Sequence, residues 1–454
     1  MSDVYSVGPV TWNRKLDSNV QQPWRGQTTL ILAMLAVALG MGNVLRLPYI
    51  IGEQGGGAFL IIYCAVLVIV VGPLLIAELT LGSLGRASPM GSIHWAASLA
   101  SRDTRWQWIG VLQAVLAFLV ATLLLVPIVI GIEAGYAIYQ GQWSDASAGE
   151  IVTALSEIEA ADHLRILALV VTVIVFTALP GPQVVLAIVG WALLPIILGM
   201  LYVALGFAFD VGDLSAANEW LFKYRPEQLS QQGALTAALA ALSTLGAGVG
   251  IGLVFGSRSP RGLPLIRSVI AVGILDTAIM LVTAIVIVAV TAAVDIEMTQ
   301  GLALLVVSLP YAFVNLPTGE LYGMLIMSSI LLSSLAALIA LIEPMVAILV
   351  RELEMPRLIA MGAIAIALYA AASLAITEAS LRQTIDGWLV PILIPFVLGI
   401  TAFFTAWRVP RPILRGEKYR EPFSLFFGWF LLLRWFAPVL CFALGILTLV
   451  RVMN

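Results

Sequence analysis

The sequence predicts an all-α integral membrane protein of about eleven transmembrane helices, two of them broken near mid-span. Three observations carry this. Of 454 residues, 61% are hydrophobic and only 11% are charged, against about a quarter charged in ordinary soluble domains. The apolar residues collect into runs of bilayer-spanning length, and the mean hydropathy is +1.03. Two of those runs are interrupted by glycine-rich segments, Gly40-Met41-Gly42-Asn43 and Gly246-Ala247-Gly248-Val249-Gly250.

In chain order the runs cover 28–51, 58–81, 108–138, 166–178, 184–207, 235–255, 265–293, 322–350, 358–376, 388–407 and 427–450. The first and sixth contain the breaks. The fourth is separated from the fifth by Pro180-Gly181-Pro182, with almost no loop. Lipid offers no partner for freed amides and carbonyls, so a break at membrane depth survives only where it lines a protein cavity. Paired breaks in corresponding halves point to the substrate and ion site of a secondary transporter.

Basic residues set the orientation, because Lys and Arg stay on the cytoplasmic side. With the N-terminus inside, cytoplasmic segments hold Arg14, Lys15, Arg86, Arg102, Arg258, Arg351, Arg357, Arg408, Arg415 and Arg420, among others. The opposite loops are acidic, with Asp145, Glu150, Glu157, Asp210, Asp213 and Asp295. Eleven spans then put the C-terminus outside. The polar N-terminal segment has no apolar h-region, so no cleaved signal is expected. With no N-x-[ST] sequon, a bacterial inner membrane is the economical setting. Cys64 and Cys441 fall within apolar runs and read as buried hydrophobes. A net charge of -3 gives no reason to expect a nucleic-acid partner. An enzyme is not expected: His94 and His163 read as loop residues, and neither a metal-ligand cluster nor a nucleophile motif is present.

Residues 24–85 carry a more specific pattern: Trp24, Ile31-Leu32-Ala33-Met34, Gly40-x-Gly-Asn-x-x-Arg-x-Pro ending at Pro48, Gly55-Gly56-Gly57-Ala58-Phe59, Pro73 and Glu78. It continues through Leu245-Gly246-x-Gly248, Leu275-Asp276-Thr277, Ser308-Leu309-Pro310, Glu343-Pro344-Met345, Asp386-Gly-Trp388 and Arg434-Trp-Phe-Ala-Pro438. In these motifs the chain resembles the neurotransmitter:sodium symporter family of prokaryotic type, which has the LeuT fold. The resemblance implies two inverted five-helix repeats around broken first and sixth helices. The chain then divides into a cytoplasmic N-terminal segment (1–27), a first repeat (28–207), an extracellular loop (208–234), a second repeat (235–407), and a cytoplasmic loop with the eleventh helix (408–454).

The resemblance also implies residue roles. Asn43 and the carbonyl of Ala38 would hold a sodium ion, with Asp276 where the family has Asn or Asp. An intramembrane carboxylate costs about 2.5 to 3.5 kcal/mol, so a functional partner is expected for it. Capping of freed backbone is the plainer reading of Asn43. A second sodium site would lose its two hydroxyls to Ala336 and Ala337. The ion-binding candidates are Ala36, Ala38, Leu39, Asn43, Asp276 and Ser333. Ser333 and Ser334 would replace the lost hydroxyls only on a shift in helix register.

The substrate-binding candidates are Ala38, Met41, Gly42, Val120, Leu124, Ala241, Leu242, Thr244 and Ala247. The family's substrate-carboxylate Tyr falls near Leu124, and two aromatic walls fall at Ala241 and Ala247, which implies a wider pocket. The amides of Met41 and Gly42 still offer donors to an anionic group. Arg46 and Asp386 match the outer gate pair, Glu78 the acid that braces the unwound first span, and Glu343 a position where proton carriage is conceivable. At the inner gate Gln21 stands where the family has Arg, and Arg351 where it has an acid. The expected function is alternating-access symport of amino acids or related small organic solutes, without a cofactor and with sodium as coupling ion. The alternatives are a proton-coupled or uncoupled carrier, and a non-transporting receptor or accessory protein. The expected partners are a small-molecule substrate and the lipid bilayer.

Overall fold

A computed structural model describes residues 24–143, 146–156, 160–260, 262–296, 298–417 and 421–453. The side chains of residues 41–44, 155, 156, 182, 183 and 417 are not included in that description. Gln21 lies outside the described residues.

Every extended element among the described residues is helical, apart from an isolated bridge between Gly56 and Tyr224. Among the described residues, nine unbroken helices are long and apolar enough to cross a membrane: Gly57–Gly85, Thr104–Tyr139, Ala160–Ala178, Val184–Val211, Leu265–Ala292, Gly319–Glu352, Arg357–Thr377, Ala379–Arg408 and Phe423–Met453. They are the second to fifth and seventh to eleventh spans. The first span is two half-helices, Gln27–Ala38 and Met41–Glu53. The sixth is Gln231–Thr244 and Ile251–Ser257. All-helical construction is what a bilayer demands, since each helix satisfies its own backbone.

Several boundaries differ from the sequence reading. The first break is narrower than 40–43, because the helix resumes at Met41 and only Leu39 and Gly40 are unwound. The fourth helix starts at Ala160 rather than 166, and the tenth at Ala379 rather than 388. In both, polar turns extend an apolar core beyond the reach of a hydropathy criterion. His163 is therefore helical, and so is His94, which sits in Pro89–Leu99 behind a Ser88 cap that accepts from the Gly91 amide at 2.9 Å. Neither is a loop residue.

Large apolar side chains such as Val68, Phe176, Tyr202 and Ile366 face outward, as in a protein whose solvent is lipid. The inside is close-packed: the eighth span lies along the third, the inner half of the sixth along the second, and the tenth along the eleventh. At the Arg-rich end, the guanidiniums of Arg408, Arg411 and Arg434 stack on rings of Trp106, Phe430 and Trp407. Such amphipathic pairs suit a membrane boundary.

Candidate functional site

The two breaks have different physical origins. Gly246, Gly248 and Gly250 take φ of 66°, 82° and 74°, a left-handed conformation that costs other residues roughly 1–2 kcal/mol each. Alternating glycines thus unwind the sixth span by conformation. Gly40 has an ordinary φ of -58°. It is required for closeness instead, since a Cβ there would lie 3.1 Å from Cβ of Ala337 on the eighth span.

Glu78, fully buried in the second span, accepts from the Gly248 amide at 2.8 Å and from Nε2 of Gln113 at 3.0 Å. The same Gln113 nitrogen also donates to Thr401 Oγ1 at 3.1 Å. One polar chain thus joins the tenth, third, second and sixth spans. Among the described residues, the bracing acid reaches the break of the sixth span, where the left-handed turn presents the Gly248 amide inward.

Asp276 in the seventh span is 2% exposed, and its Oδ2 has no hydrogen-bond partner among the described residues. It lines a cavity of about 40 Å³ with Ala38, Leu39, Gly40, Thr283, Ser329 and Ser333. Ile197 and Leu201 of the fifth span close one wall. Four of the six ion-binding candidates, Ala38, Leu39, Asp276 and Ser333, therefore meet around one space. Ala36 is buried in the same half-helix. The Asn43, Met41 and Gly42 side chains lie outside the described residues. The volume admits about three waters, the scale of an ion with part of its shell.

Of the substrate-binding candidates whose side chains are described, Ala38 alone lines this cavity. Ala241, Leu242, Thr244 and Ala247 are buried on the sixth span, and Val120 and Leu124 are half-buried on the third. The Thr244 hydroxyl donates to the Ala240 carbonyl and is 2.9 Å from the Tyr63 hydroxyl. Its proton is committed to Ala240, so Tyr63 is the donor in that contact.

Two clusters flank this centre. At the acidic end, Arg46 pairs with Asp386, which projects from the π-helical turn Ile385–Leu389; their side chains are 49% and 39% exposed. At the Arg-rich end, Glu343 is fully buried and pairs with Arg357, whose Nη1 lies 3.4 Å from Oε2. Arg258 approaches the same carboxylate at 3.9 Å. Arg357 also donates to the carbonyls of Ala178 at 2.8 Å and Leu179 at 3.3 Å. Trp24 is tied to the sixth span through its indole on the Phe255 carbonyl and its amide on the Arg258 carbonyl, both at 3.0 Å. Arg351 donates to the Arg86 carbonyl at 2.7 Å, and the neighbouring Glu352 acts on its charge.

Sequence reasoning took Arg258 and Arg357 only as orientation markers and passed over Gln113, Tyr63, Thr283 and Ser329. A polar residue inside an apolar run was the available signal for all four of the latter.

Residues 21–142 match the family model described as the sodium:neurotransmitter symporter family. That segment is similar to this family. It contains the first break, Arg46 and Glu78. The sodium- and chloride-dependent GABA transporter ine of Drosophila melanogaster is 34% identical over 119 residues, 26% of this chain and 11% of that protein. The chain thus matches about a tenth of the length of that family member. An uncharacterized sodium-dependent transporter of Bacillus subtilis, YhdH, is 24% identical over 333 residues, 71% of each chain. Among solved structures, the crystal structure of MhsT in complex with L-phenylalanine superposes with a TM-score of 0.83, covering 94% of this chain and 99% of that one. At 22% identity the likeness shows the fold, the LeuT-type arrangement expected of the family.

Proposed function

We propose that the protein is a secondary active symporter that moves a small organic solute by alternating access, with sodium as the driving ion. One observation carries this reading. Two helices break at membrane depth, and the first break lines a small cavity that holds a buried carboxylate whose Oδ2 has no partner among the described residues. A static scaffold gains nothing from such an arrangement, whereas a carrier needs an ion site that binds and releases.

The leading substrate class is an amino acid or related carboxylate. The half-helix Met41–Glu53 begins at the break, and its first-turn amides have no acceptor within the helix. Those donors and the helix dipole suit an anionic group. The MhsT crystal carries L-phenylalanine, and Ala241 and Ala247 stand where the resemblance puts two aromatic walls, a replacement that would suit a bulky apolar side chain. The Arg46–Asp386 pair acts as the outer gate. The Glu343 cluster and Trp24 hold the opposite side shut. By the distribution of basic residues, the N-terminus faces the cytoplasm of a bacterial inner membrane.

One observation favours weak or single-site sodium coupling. Ala336 and Ala337 are buried, and Ala337 packs its methyl against Gly40. Methyl groups offer a cation nothing.

The test is counterflow in proteoliposomes, with a panel of amino acids run in sodium and in choline. Exchange of a labelled amino acid, faster in sodium, is the expected result. Absence of exchange for every solute would leave a receptor with this fold, and exchange equal in both salts would leave an uncoupled or proton-coupled carrier.

A further inference from the structure

We propose that the Arg-rich ends of the tenth and eleventh spans form a binding site for an anionic phospholipid, its headgroup held by Arg408, Arg411 and Arg434. Such a site needs only a chain that lies in a bilayer and is independent of the symporter reading.

One hydrogen bond and one length fix the depth of these charges. Arg408 ends the tenth span, and the indole of the preceding Trp407 donates to the Arg434 carbonyl at 3.0 Å. From Arg434 the eleventh helix runs on to Met453, roughly 29 Å at about 1.5 Å per residue, against a hydrocarbon thickness of about 30 Å. Arg434 thus stands level with the end of its neighbour, at the height where headgroups begin. Arg411 opens the short helix that follows, Arg411–Glu417.

Each guanidinium lies over aromatic rings. Arg408 is 5.8 Å from the ring of Trp106 and 5.4 Å from that of Phe403. Arg434 is 4.5 Å from Trp407, and it shares the Phe430 ring with Arg411, at 5.8 and 4.8 Å. Arg102 adds a further charge alongside, its Nε donating to the Arg408 carbonyl at 3.4 Å. Contact with a ring occupies the flat of a guanidinium and none of its N–H donors. Among the described residues, none of Arg408, Arg411 and Arg434 is paired with an acid, and Arg434 Nε is buried without a hydrogen-bond partner. Arg105, Arg267 and Arg357, by contrast, each reach a carboxylate. Like charges gathered at a membrane boundary repel until an anion joins them, and a planar fork held flat by a ring matches the oxygens of a phosphate.

The surrounding surface decides which phosphate. Trp435, Val439, Ile446 and Val450 are exposed at helical spacing on the eleventh helix, an apolar track that runs from the arginines toward the opposite end. Trp407 and Phe427 are exposed beside the charges. A lipid meets both parts at once, with its phosphate on the arginines and an acyl chain along the track. Inorganic phosphate meets only the first.

The test reconstitutes the full chain in phosphatidylcholine bilayers and reads quenching of its tryptophan fluorescence by brominated phosphatidylglycerol or brominated phosphatidylcholine. Because Trp407 and Trp435 flank the arginines, the anionic lipid should quench at a mole fraction lower on the order of tenfold. Arg408→Gln, Arg411→Gln and Arg434→Gln should each cut that preference by about threefold. Arg105→Gln, whose exposed side chain faces Asp103, should leave it unchanged. The triple variant Arg408→Lys, Arg411→Lys, Arg434→Lys keeps the charge and loses the fork, so it should lose most of the preference. Thermal unfolding in phosphatidylcholine confirms that each variant is folded, and the wild-type comparison needs no variant. Equal quenching by the two lipids in the wild type overturns the site. So does full preference in the lysine variant, which would leave only diffuse surface charge. A preference abolished by inorganic phosphate, but not by chloride at equal ionic strength, makes the occupant a free anion and overturns the lipid. Shielding of the tryptophans from both lipids as the protein-to-lipid ratio rises makes it a second copy of the chain, with the same consequence.

Discussion

Glu78 accepts the amide of Gly248 at 2.8 Å, so an acid on an unbroken helix holds a broken one in shape. Replacing it with Ala strands a buried amide, at a cost of about 1–3 kcal/mol. Glu78→Ala should lower the unfolding temperature in detergent, and Glu78→Gln, which keeps an acceptor oxygen, should recover part of the loss. Equal stability of Glu78→Ala and the wild type would show that the break needs no brace.

The Arg46–Asp386 pair is half in water, and exposed pairs contribute about 0–1 kcal/mol. Asp386→Ala should therefore unfold at nearly the wild-type temperature while slowing counterflow. The swapped pair Arg46→Asp with Asp386→Arg should restore part of the rate. Unchanged counterflow in a well-folded Asp386→Ala protein would remove the gate role.

Gly40 and Ala337 make a matched contact, with room for one Cβ fewer than two ordinary residues bring. Gly40→Ala should destabilise by about 1–3 kcal/mol through overpacking, and adding Ala337→Gly should recover most of it. Gly248→Ala should have no such rescue from Leu398→Ala alone, because its φ of 82° is strained whatever the space. Additive effects in the first pair, measured as a double-mutant cycle, would show that these helices do not touch there.

Removing Arg357 leaves a fully buried Glu343 with one distant arginine. Arg357→Ala should cost about 3–5 kcal/mol. The double variant Arg357→Met with Glu343→Leu should be milder, since it removes both charges and keeps volume. Chemical unfolding would measure both, and a double variant worse than the single one would show that the pair itself is strongly stabilising.

Ala247 is buried in the sixth-span break. Ala247→Phe should fill space that a large solute needs, and the ranking of transported amino acids should move toward small ones. An unchanged size ranking would place the substrate elsewhere.

Much of the fold was legible in the sequence because lipid imposes a coarse rule. Apolar runs must be spans, and glycine triplets inside them must be breaks. Arg46 and Asp386 were legible as partners only through resemblance, since nothing local to either residue names the other. The cavity was not legible: Asp276 stood out as an acid in an apolar run, but which way a helical side chain turns depends on neighbours far along the chain. Thr283 and Ser329 were passed over because a hydroxyl in an apolar run commonly bonds only its own helix, as Thr283 does to the Ile279 carbonyl. Arg357 sits where a loop meets a helix, so topology explained it before Glu343 was seen beside it. The histidines were misplaced for a related reason, because polar turns lengthen helices beyond the apolar core that marks them.

The ion pairs at the two ends are unequal in exposure. Salt reaches the Arg46–Asp386 pair, and the range of its attraction shrinks from about 10 Å at 0.1 M to about 3 Å at 1 M ionic strength. The Glu343 carboxylate is fully buried, so salt screens its pairing much less. If the two pairs are the gates of a carrier, an empty molecule in brine should rest with its acidic end ajar and its Arg-rich end shut, so that the medium's ionic strength would set the posture in which it waits for solute.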